Sequence, residues 1–520
     1  SVNDLKAYAN AFYGLIPGGV SVLDDTDSDI QVPNNINSFL WGQYVVPTEG
    51  GVWQKSNWQN IRNINYFMTH YQSVQAAEAD VNIYVAEMRF FRALEYFNKI
   101  QLLGDVPWLE VDLNVDSEEL YGPKMKRNQV FQKIIEDLDF AIQWLPEAGS
   151  EEANRLNKDI ARHVKARFCL NEGTHYKYHD ELEYASEAEK WLQMAATESD
   201  KLITSGRYEI YNTGHPQEDY FNMYRIDDKS DLKEAVLYVD YKTNIREHNM
   251  AAAGREAGCG FSKSFVESFL CSDGLPISLS NKYLGDETMR KETANRDPRL
   301  KQLILTNDFP TNVTDDLKDS TFVVNEDEFI TQHCFTGYRP IKGFNPIYSQ
   351  ALYMKSSFDG IAYRYAETLL INAEAKAELN TITNADLDRT VNQLRDRVGM
   401  PHLTVNVGFT DPKWPDWGYS LSPVLQEIRR ERCIELAGEG FRFNDLKRWK
   451  AGKVLNNVLT YVGKRKPDGN LAIVYPNYTN PDLSYQAGKS RTWEDKMYLY
   501  PIPTGELQRN PQLLPQNPGW

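Results

Sequence analysis

Residues 427–450 read EIRRERCIELAGEGFRFNDLKRWK, and this stretch carries too many charges for an ordinary surface helix. Glu427, Glu431 and Glu435 recur every four residues, so on a helix they form one stripe of mutually repelling carboxylates. Arg432 falls on the side of the helix that should face the core. A solvated helix face is the ordinary explanation of a charge run, but the interspersed apolar residues argue against it. Because an unpaired buried charge is costly, we expect these side chains to pair with partners on other elements.

The segment ERCIELAGEGFRFNDLKRW (431–449) closely resembles the C-terminal signature of SusD/RagB-family proteins. Other blocks that resemble the family follow in the family's order along nearly the whole chain: FFRALEYFNKIQLLGDVPW (90–108), NRDPRL (295–300), YRYAETLLINAEAKAEL (363–379), NQLRDRVGMP (392–401) and YLYPIPTGELQRNPQLLPQNPGW (498–520). The resemblance implies four tetratricopeptide-like helical hairpins with an irregular lobe attached.

The apolar periodicity is consistent with a mainly α fold of this kind. It predicts helices over residues 84–94, 130–145, 159–178, 184–205, 362–379, 384–397 and 423–448. Between them the chain is rich in Gly, Pro, Asn and Asp, with short strand-like runs at 235–241 and 322–324. The strict 34-residue tetratricopeptide consensus is not visible, so the hairpins rest on the resemblance.

The domain prediction is therefore a single SusD-like unit over residues 1–520. Within it we distinguish an N-terminal helical-repeat part (1–207), a loop-rich binding lobe containing short strands (208–361), and C-terminal helices with an extended tail (362–520). No stretch has the composition of a linker, so we expect the lobes to be interleaved.

Composition excludes several classes of function. A net charge of −16 argues against a nucleic-acid partner, which needs clustered Lys and Arg. No run of 18 apolar residues exists to span a membrane, and the first residues have no signal-peptide pattern. Because the family resembled consists of exported lipoproteins, we expect a signal peptide and an acylated cysteine upstream. The expected location is the extracellular face of the outer membrane, with a lipid as the only membrane contact.

Catalytic and cofactor signatures are missing from the sequence. It has no HExxH, GxSxG, P-loop or GxGxxG motif, and no cofactor is expected. Its five cysteines show no CxxC spacing and cannot all pair. Cys169 and Cys433 fall in helical patterns and are interpreted as small buried apolar side chains.

Two patterns could hold a metal ion. His175 and His179 are spaced to share a helix face, but no third ligand follows at suitable spacing. Asp25, Asp27 and Asp29 alternate like the start of a calcium loop, yet an EF-hand is excluded because its invariant glycine and final glutamate are replaced by isoleucines. We favour structural roles for both sets, with a looser cation site at the aspartates left open.

Aromatic residues in loops are the strongest candidates for a binding site. The chain has 11 Trp, 30 Tyr and 22 Phe, and sugars present C–H faces that stack on such rings, although core packing is an equally good use for them. The resemblance places glycan sites in an N-terminal loop and in the loops of the middle lobe. Our candidate glycan-binding residues are Trp41, Tyr44, Trp53, Arg246, Asn249, Arg255, Phe261 and Tyr283. Tyr338 and Phe344, in a third loop, are weaker candidates, and Trp58 and Asn65 are assigned to structure.

The resemblance implies a non-catalytic, cell-surface glycan-binding protein that captures oligosaccharide or polysaccharide and delivers it to a SusC-like TonB-dependent transporter. One alternative is a scaffold or lid of the transporter complex with little intrinsic sugar binding. Capture of a peptide or another non-glycan nutrient also stays open, because a fold does not dictate its cargo. A glycosidase has little support, since nothing in the sequence selects one pair among 73 acidic residues.

Overall fold

Long amphipathic helices dominate the first two hundred residues, as the periodicity predicts. The computed structural model describes residues 1–35, 37–253, 257–473 and 491–520. The helices of this part are α1 (Val2–Asn10), α2 (Gln59–His70), α3 (Glu78–Leu103), α4 (Arg127–Trp144), α5 (Lys158–Tyr178) and α6 (Ala188–Ser205). Helix α3 packs on α4 and α5 packs on α6, which gives the tetratricopeptide-like pairs that the resemblance implies. The positions of Trp58 and Asn65 agree with structural roles, because Trp58 packs against Trp53 at the start of α2 and Asn65 is buried within that helix.

Short elements make up the middle lobe. Its helices are α7 (Asp219–Met223), α8 (Met250–Ala253), α9 (Lys263–Ser268), α10 (Met289–Thr293) and α11 (Arg299–Leu303). Its strands, with one from the N-terminal loop, are β1 (Gln31–Pro33), β2 (Ala235–Val239), β3 (Cys259–Phe261), β4 (Asn312–Val313), β5 (Ser320–Thr321) and β6 (Gly360–Arg364). They form antiparallel pairs, β1 with β3, β2 with β6 and β4 with β5. The strand predicted at 322–324 is wrong, because pairing ends at Thr321 and Val324 is 75% exposed.

The C-terminal part returns to helices and ends in a tail. Its elements are α12 (Tyr365–Glu378), α13 (Asn384–Asp388), α14 (Val391–Arg397), α15 (Pro423–Glu435), α16 (Arg442–Arg448), α17 (Thr504–Arg509), β7 (Val462–Arg465) and β8 (Leu471–Ile473). The single helix predicted over 423–448 is two helices, since Gly438 and Gly440 between them have φ of 81° and 84°. Such angles end a right-handed helix. The helix predicted over 384–397 is likewise divided, into α13 and α14.

Three hydrophobic clusters hold these elements together. The first is formed mainly by α1–α6 with α12, α14 and α15, and the second lies in the middle lobe and includes the end of α15. The third joins Val32, Phe39, Leu40 and Trp41 to Trp417, Trp449 and the tail around Trp493 and Tyr498. Residues after 362 therefore contribute to all three clusters, while the division at 207 and 361 stays a prediction.

Most charges of the opening stretch are buried and paired with other elements, as expected, although the close partner of Glu427 is Arg430 on the same helix. Glu435 is fully buried and accepts hydrogen bonds from Arg364, Arg397 and Arg299 at 2.9, 2.6 and 3.1 Å. Burial alone would raise the pKa of Glu435, but these guanidinium groups outweigh it and hold that pKa well below its usual range. Glu431 binds Arg395 and Arg299 in the same way. The signature is thus an ionic joint between α15, α14 and the middle lobe.

Gly438 lets the N-terminal loop approach this joint closely. Its N–H donates to the buried carboxylate of Asp25 at 2.7 Å, and a Cβ at Gly438 would lie 2.5 Å from the carbonyl oxygen of Val22. No ordinary contact is that short, and the neighbouring group is backbone rather than a flexible side chain. Position 438 therefore requires glycine for two reasons: its φ is positive, and the backbone of Val22 leaves no room for a Cβ.

We expect Gly438→Ala to lower the free energy of unfolding by at least about 2 kcal/mol, because a left-handed alanine and a backbone clash both add cost. Gly418→Ala is the matched control, since Gly418 has φ of 87° with nothing within 4 Å of the added Cβ. Gly418→Ala should lower the free energy of unfolding by about 1 kcal/mol, the cost of the left-handed conformation alone. Denaturant unfolding measures both, and equal losses in the two variants would contradict the close approach.

Candidate functional site

The aromatic candidates of the N-terminal loop face the protein rather than solvent. Trp41 is only 6% exposed and contacts the Tyr461 ring, with centroids 5.4 Å apart. Its selection as a stacking residue is wrong, because a ring with so little exposed surface offers no face to a sugar. Tyr44 is half-buried, and its ring makes edge contacts with Phe39, Tyr500 and Trp520. Trp53 is half-buried too, and its ring packs against that of Trp58, with the ring centroids 5.1 Å apart.

The aromatic candidates of the middle lobe also pack against other residues of the protein. Phe261 is 1% exposed on β3 and lies against Phe265, so its selection is wrong for the same reason. Tyr283 is half-buried with the guanidinium of Arg296 5.3 Å from its ring centre, and burial raises its pKa to about 12. The weaker candidates Tyr338 and Phe344 are 0% and 2% exposed. The candidate rings therefore do not form one exposed arc.

Two of the polar candidates do come together. Arg246 is exposed, with its guanidinium 4.6 Å from the centre of the Tyr241 ring. Asn249, three residues later, is half-buried, and its Oδ1 accepts a hydrogen bond from the N–H of Met354 at 3.1 Å. Arg255 lies outside the described residues. Arg246 and Asn249 thus belong to a loop that is fastened to a second loop around residue 354.

That second loop carries the two tyrosines that sequence reasoning missed. Tyr353 is 78% exposed and Tyr348 is 56% exposed. Together with Arg246 and Asn249 they define what we call the tyrosine surface. Exposed rings beside polar side chains are the arrangement that binds the C–H faces and the hydroxyls of a sugar.

Backbone pairing holds the two loops in register. His248 and Ser356 exchange both backbone hydrogen bonds, at 2.9 and 3.1 Å. Lys355 pairs with Glu247 at 3.2 Å, and Met354 has a φ of 53°, which is rare for a bulky residue. A strained residue held by its neighbours is typical of functional loops. Tyr353 is thus presented from a fixed backbone.

The buried side chain of His248 holds the Arg246 loop in place as a neutral imidazole. Burial lowers its pKa to about 4, so the ring is neutral at physiological pH. Nε2 then donates to the carbonyl oxygen of Phe358 at 2.9 Å, while Nδ1 accepts from the N–H of Met250 at 3.1 Å. Both ring nitrogens are used within the protein, so His248 positions the loop and is not free to ligate a metal ion.

The two candidate metal patterns have structural partners. Asp25 accepts from the backbone N–H groups of Gly438 and Arg442, and burial raises its pKa to about 7. Asp29 forms a two-pronged ion pair with the Arg442 guanidinium at 2.7 and 2.8 Å.

The rings of His175 and His179 stack 4.0 Å apart, and Nε2 of His179 bonds the carbonyl oxygen of Lys447. Within the described ranges no group of three or more His, Cys, Asp or Glu is placed to hold a metal ion. All five cysteines are buried and unpaired with one another, as interpreted for Cys169 and Cys433.

Comparison with known proteins identifies the class. The family model described as the SusD family matches residues 204–520, more than half of the chain. The protein belongs to the SusD family.

Several relatives agree with this assignment. SusD-like protein P2 of Formosa agariphila is 25% identical over 456 residues, which are 85% of this chain and 75% of that protein. A SusD-like carbohydrate binding protein from Bacteroides fragilis shares the fold with a TM-score of 0.72 at 20% identity, over 99% of each chain. A laminarin binding SusD-like protein does so with a TM-score of 0.60 at 19% identity, over 100% of this chain and 99% of that one. At such identities these structures establish the fold alone.

A search of the described residues for membrane-spanning helices finds none that is long and apolar enough.

Proposed function

We propose that this protein captures oligosaccharide or polysaccharide at the outer face of the outer membrane, does not alter it, and delivers it to a SusC-like TonB-dependent transporter. A lipid anchor would hold it there. The observation that carries the proposal is the tyrosine surface, in which two loops fixed to each other carry two exposed rings on one side and Arg246 and Asn249 on the other.

The mechanism follows from the chemistry of these groups. The rings of Tyr348 and Tyr353 offer apolar faces to sugar C–H groups, while the guanidinium of Arg246 donates to hydroxyl oxygens. Among the described residues, the Oδ1 of Asn249 has a hydrogen-bond partner, the N–H of Met354, and its side-chain N–H₂ has none, so this group can act as a second donor. When a ligand binds to such an open, solvated surface, much of the favourable free energy of its contacts is offset by the cost of ordering and desolvation. We therefore expect weak binding to single chains.

The test is native gel electrophoresis of the purified protein through gels that contain one polysaccharide each. Laminarin should be included because one protein of the same fold is described as binding it. Retardation in at least one gel, with no new reducing ends after incubation with that polysaccharide, is the expected result. Release of reducing ends would support an enzyme instead, and retardation only by peptides would support a different cargo.

A second candidate function is partner binding without strong sugar affinity. It is favoured by an apolar groove of about 210 Å³ between α2 and residues 109–120. Its lining residues Val111, Val115 and Leu120 are 49%, 82% and 44% exposed, and a concentration of exposed apolar side chains is typical of a protein-binding surface. Copurification with the transporter encoded nearby, together with no retardation in any gel, would favour this scaffold function.

A further inference from the structure

A cavity of about 420 Å³ lies where α3, α5 and α16 meet residues 17–24 of the N-terminal loop. We call it the junction pocket. It shares no lining residue with the tyrosine surface, and its volume is within the range of small-molecule sites. Its wall includes the C-terminal signature from Glu439 to Arg448, so the family signature builds this cavity as well as the ionic joint.

Three carboxamides converge on the junction pocket, one from each helix. Gln101 lies on α3, Asn171 on α5 and Asn444 on α16. All three are half-buried, and within the part of the chain that the structure describes their side chains have no hydrogen-bond partner. Half-buried amides usually find partners in the protein. Here three of them keep donors and acceptors available on one cavity.

Helical spacing explains why the amides are accompanied by aromatic rings. Phe97 precedes Gln101 by four residues on α3, so both project from the same face. Phe168 on α5 stacks on Phe97 with ring centroids 3.6 Å apart, and Phe441 lines the pocket at the start of α16. The cavity therefore combines apolar ring surface with unpaired amides.

The charges around the junction pocket cancel. Three lining residues are cationic and three are anionic: Arg167, Arg432, Arg448, Asp24, Glu439 and Asp445. The cations are committed to protein partners, since Arg167 binds Glu367, Arg432 binds Asp445, and Arg448 binds Glu374. Glu439 is paired in turn with Lys342 and Arg364, and Nη1 of Arg432 is a buried donor with no hydrogen-bond partner among the described residues. An anionic ligand would therefore meet cations that already have carboxylate partners, and it would also face Asp24. The pocket is built for a neutral molecule.

We propose that the junction pocket binds one neutral pyranose unit, through hydrogen bonds from Gln101, Asn171 and Asn444 and contact with the phenylalanine rings. Each carboxamide can donate and accept, and each sugar hydroxyl can do the same, so three amides match several adjacent hydroxyls. The site is separate from polysaccharide capture at the tyrosine surface and does not depend on it.

The experiment is saturation-transfer NMR on the whole protein with the methyl α-pyranosides of glucose, galactose, mannose and xylose, and with methyl glucuronide as the charged comparison. At least one neutral pyranoside should give transfer, and Asn171→Leu and Asn444→Leu, which keep the side-chain volume, should each weaken it roughly tenfold. Gln193→Leu, an exposed amide on α6 away from the pocket, should change nothing. Tyr353→Ala should leave this binding intact.

Three results would overturn the proposal: no transfer from any neutral pyranoside, transfer that survives both asparagine variants, or transfer lost with Tyr353→Ala. Should either leucine variant melt early, Gln101→Met on α3 replaces it. A crystal soaked in the bound pyranoside gives an independent measurement. Ring-shaped density against Asn171 and Asn444 supports the site, while ordered water alone in the pocket refutes it.

Discussion

Replacing Glu435 by glutamine is expected to lower the free energy of unfolding by about 3–5 kcal/mol, the usual cost of removing one partner from a buried ion pair. The side chain keeps its shape, so the loss arises from charge. Arg364, Arg397 and Arg299 would lose the carboxylate that all three contact. Since a domain is stable by only about 5–15 kcal/mol, this one substitution removes a large share.

The pH dependence of this effect has a definite sign. The folded-state pKa of Glu435 is depressed by the three arginines, so its contribution is present above the unfolded-state pKa of about 4.3 and is lost as the pH falls below that value. The difference between wild type and Glu435→Gln should therefore be largest near neutral pH and shrink on acidification. Urea unfolding at several pH values measures it.

Glu189→Ala provides the control for Glu435→Gln. Glu189 is exposed on α6, and its removal should change the free energy of unfolding by no more than about 0.5 kcal/mol. If Glu435→Gln were equally mild, or if its effect did not diminish at low pH, the buried network would not be the joint between the lobes that its contacts indicate.

The fold was predictable because its signals are local. A carboxylate stripe at helical spacing among apolar residues requires buried partners whatever the rest of the chain does, and Glu435 has them. The break between α15 and α16 was missed for a different reason. Gly438 is required by contact with Val22, more than four hundred residues earlier in the chain, and no local pattern encodes such a contact.

Exposure in loops was not predictable in the same way. Tyr44 is covered by Tyr500 and Trp520 from the far end of the chain, so its surroundings cannot be inferred from its own segment. In the third loop the two rings named from the sequence are buried, and two others are exposed. Tyr338 and Phe344 follow glycines that allow close packing, whereas Tyr348 and Tyr353 are flanked by Ser349 and Met354–Lys355 in an open turn.

Removing both rings of the tyrosine surface should abolish most polysaccharide binding. Truncating a ring that carries binding energy costs about 1–2 kcal/mol, so Tyr348→Ala with Tyr353→Ala should reduce affinity roughly 30-fold or more, given tenfold per 1.4 kcal/mol. Stability should change by less than about 0.5 kcal/mol per site, because both rings are exposed. Native affinity gels and thermal melting separate the two effects.

Tyr121→Ala is the matched control, because Tyr121 is 53% exposed, close to the 56% of Tyr348, but lies in the helical part of the chain, directly after the groove residue Leu120. It should leave polysaccharide retention unchanged, and Tyr353→Phe should also retain binding because stacking needs the ring rather than its hydroxyl. Full retention by the double alanine variant, together with loss in Tyr44→Ala or Tyr283→Ala, would return the site to the half-buried aromatic residues. Those rings would then have to leave their contacts with Trp520 and Arg296 to meet a sugar, and free and bound structures would differ there.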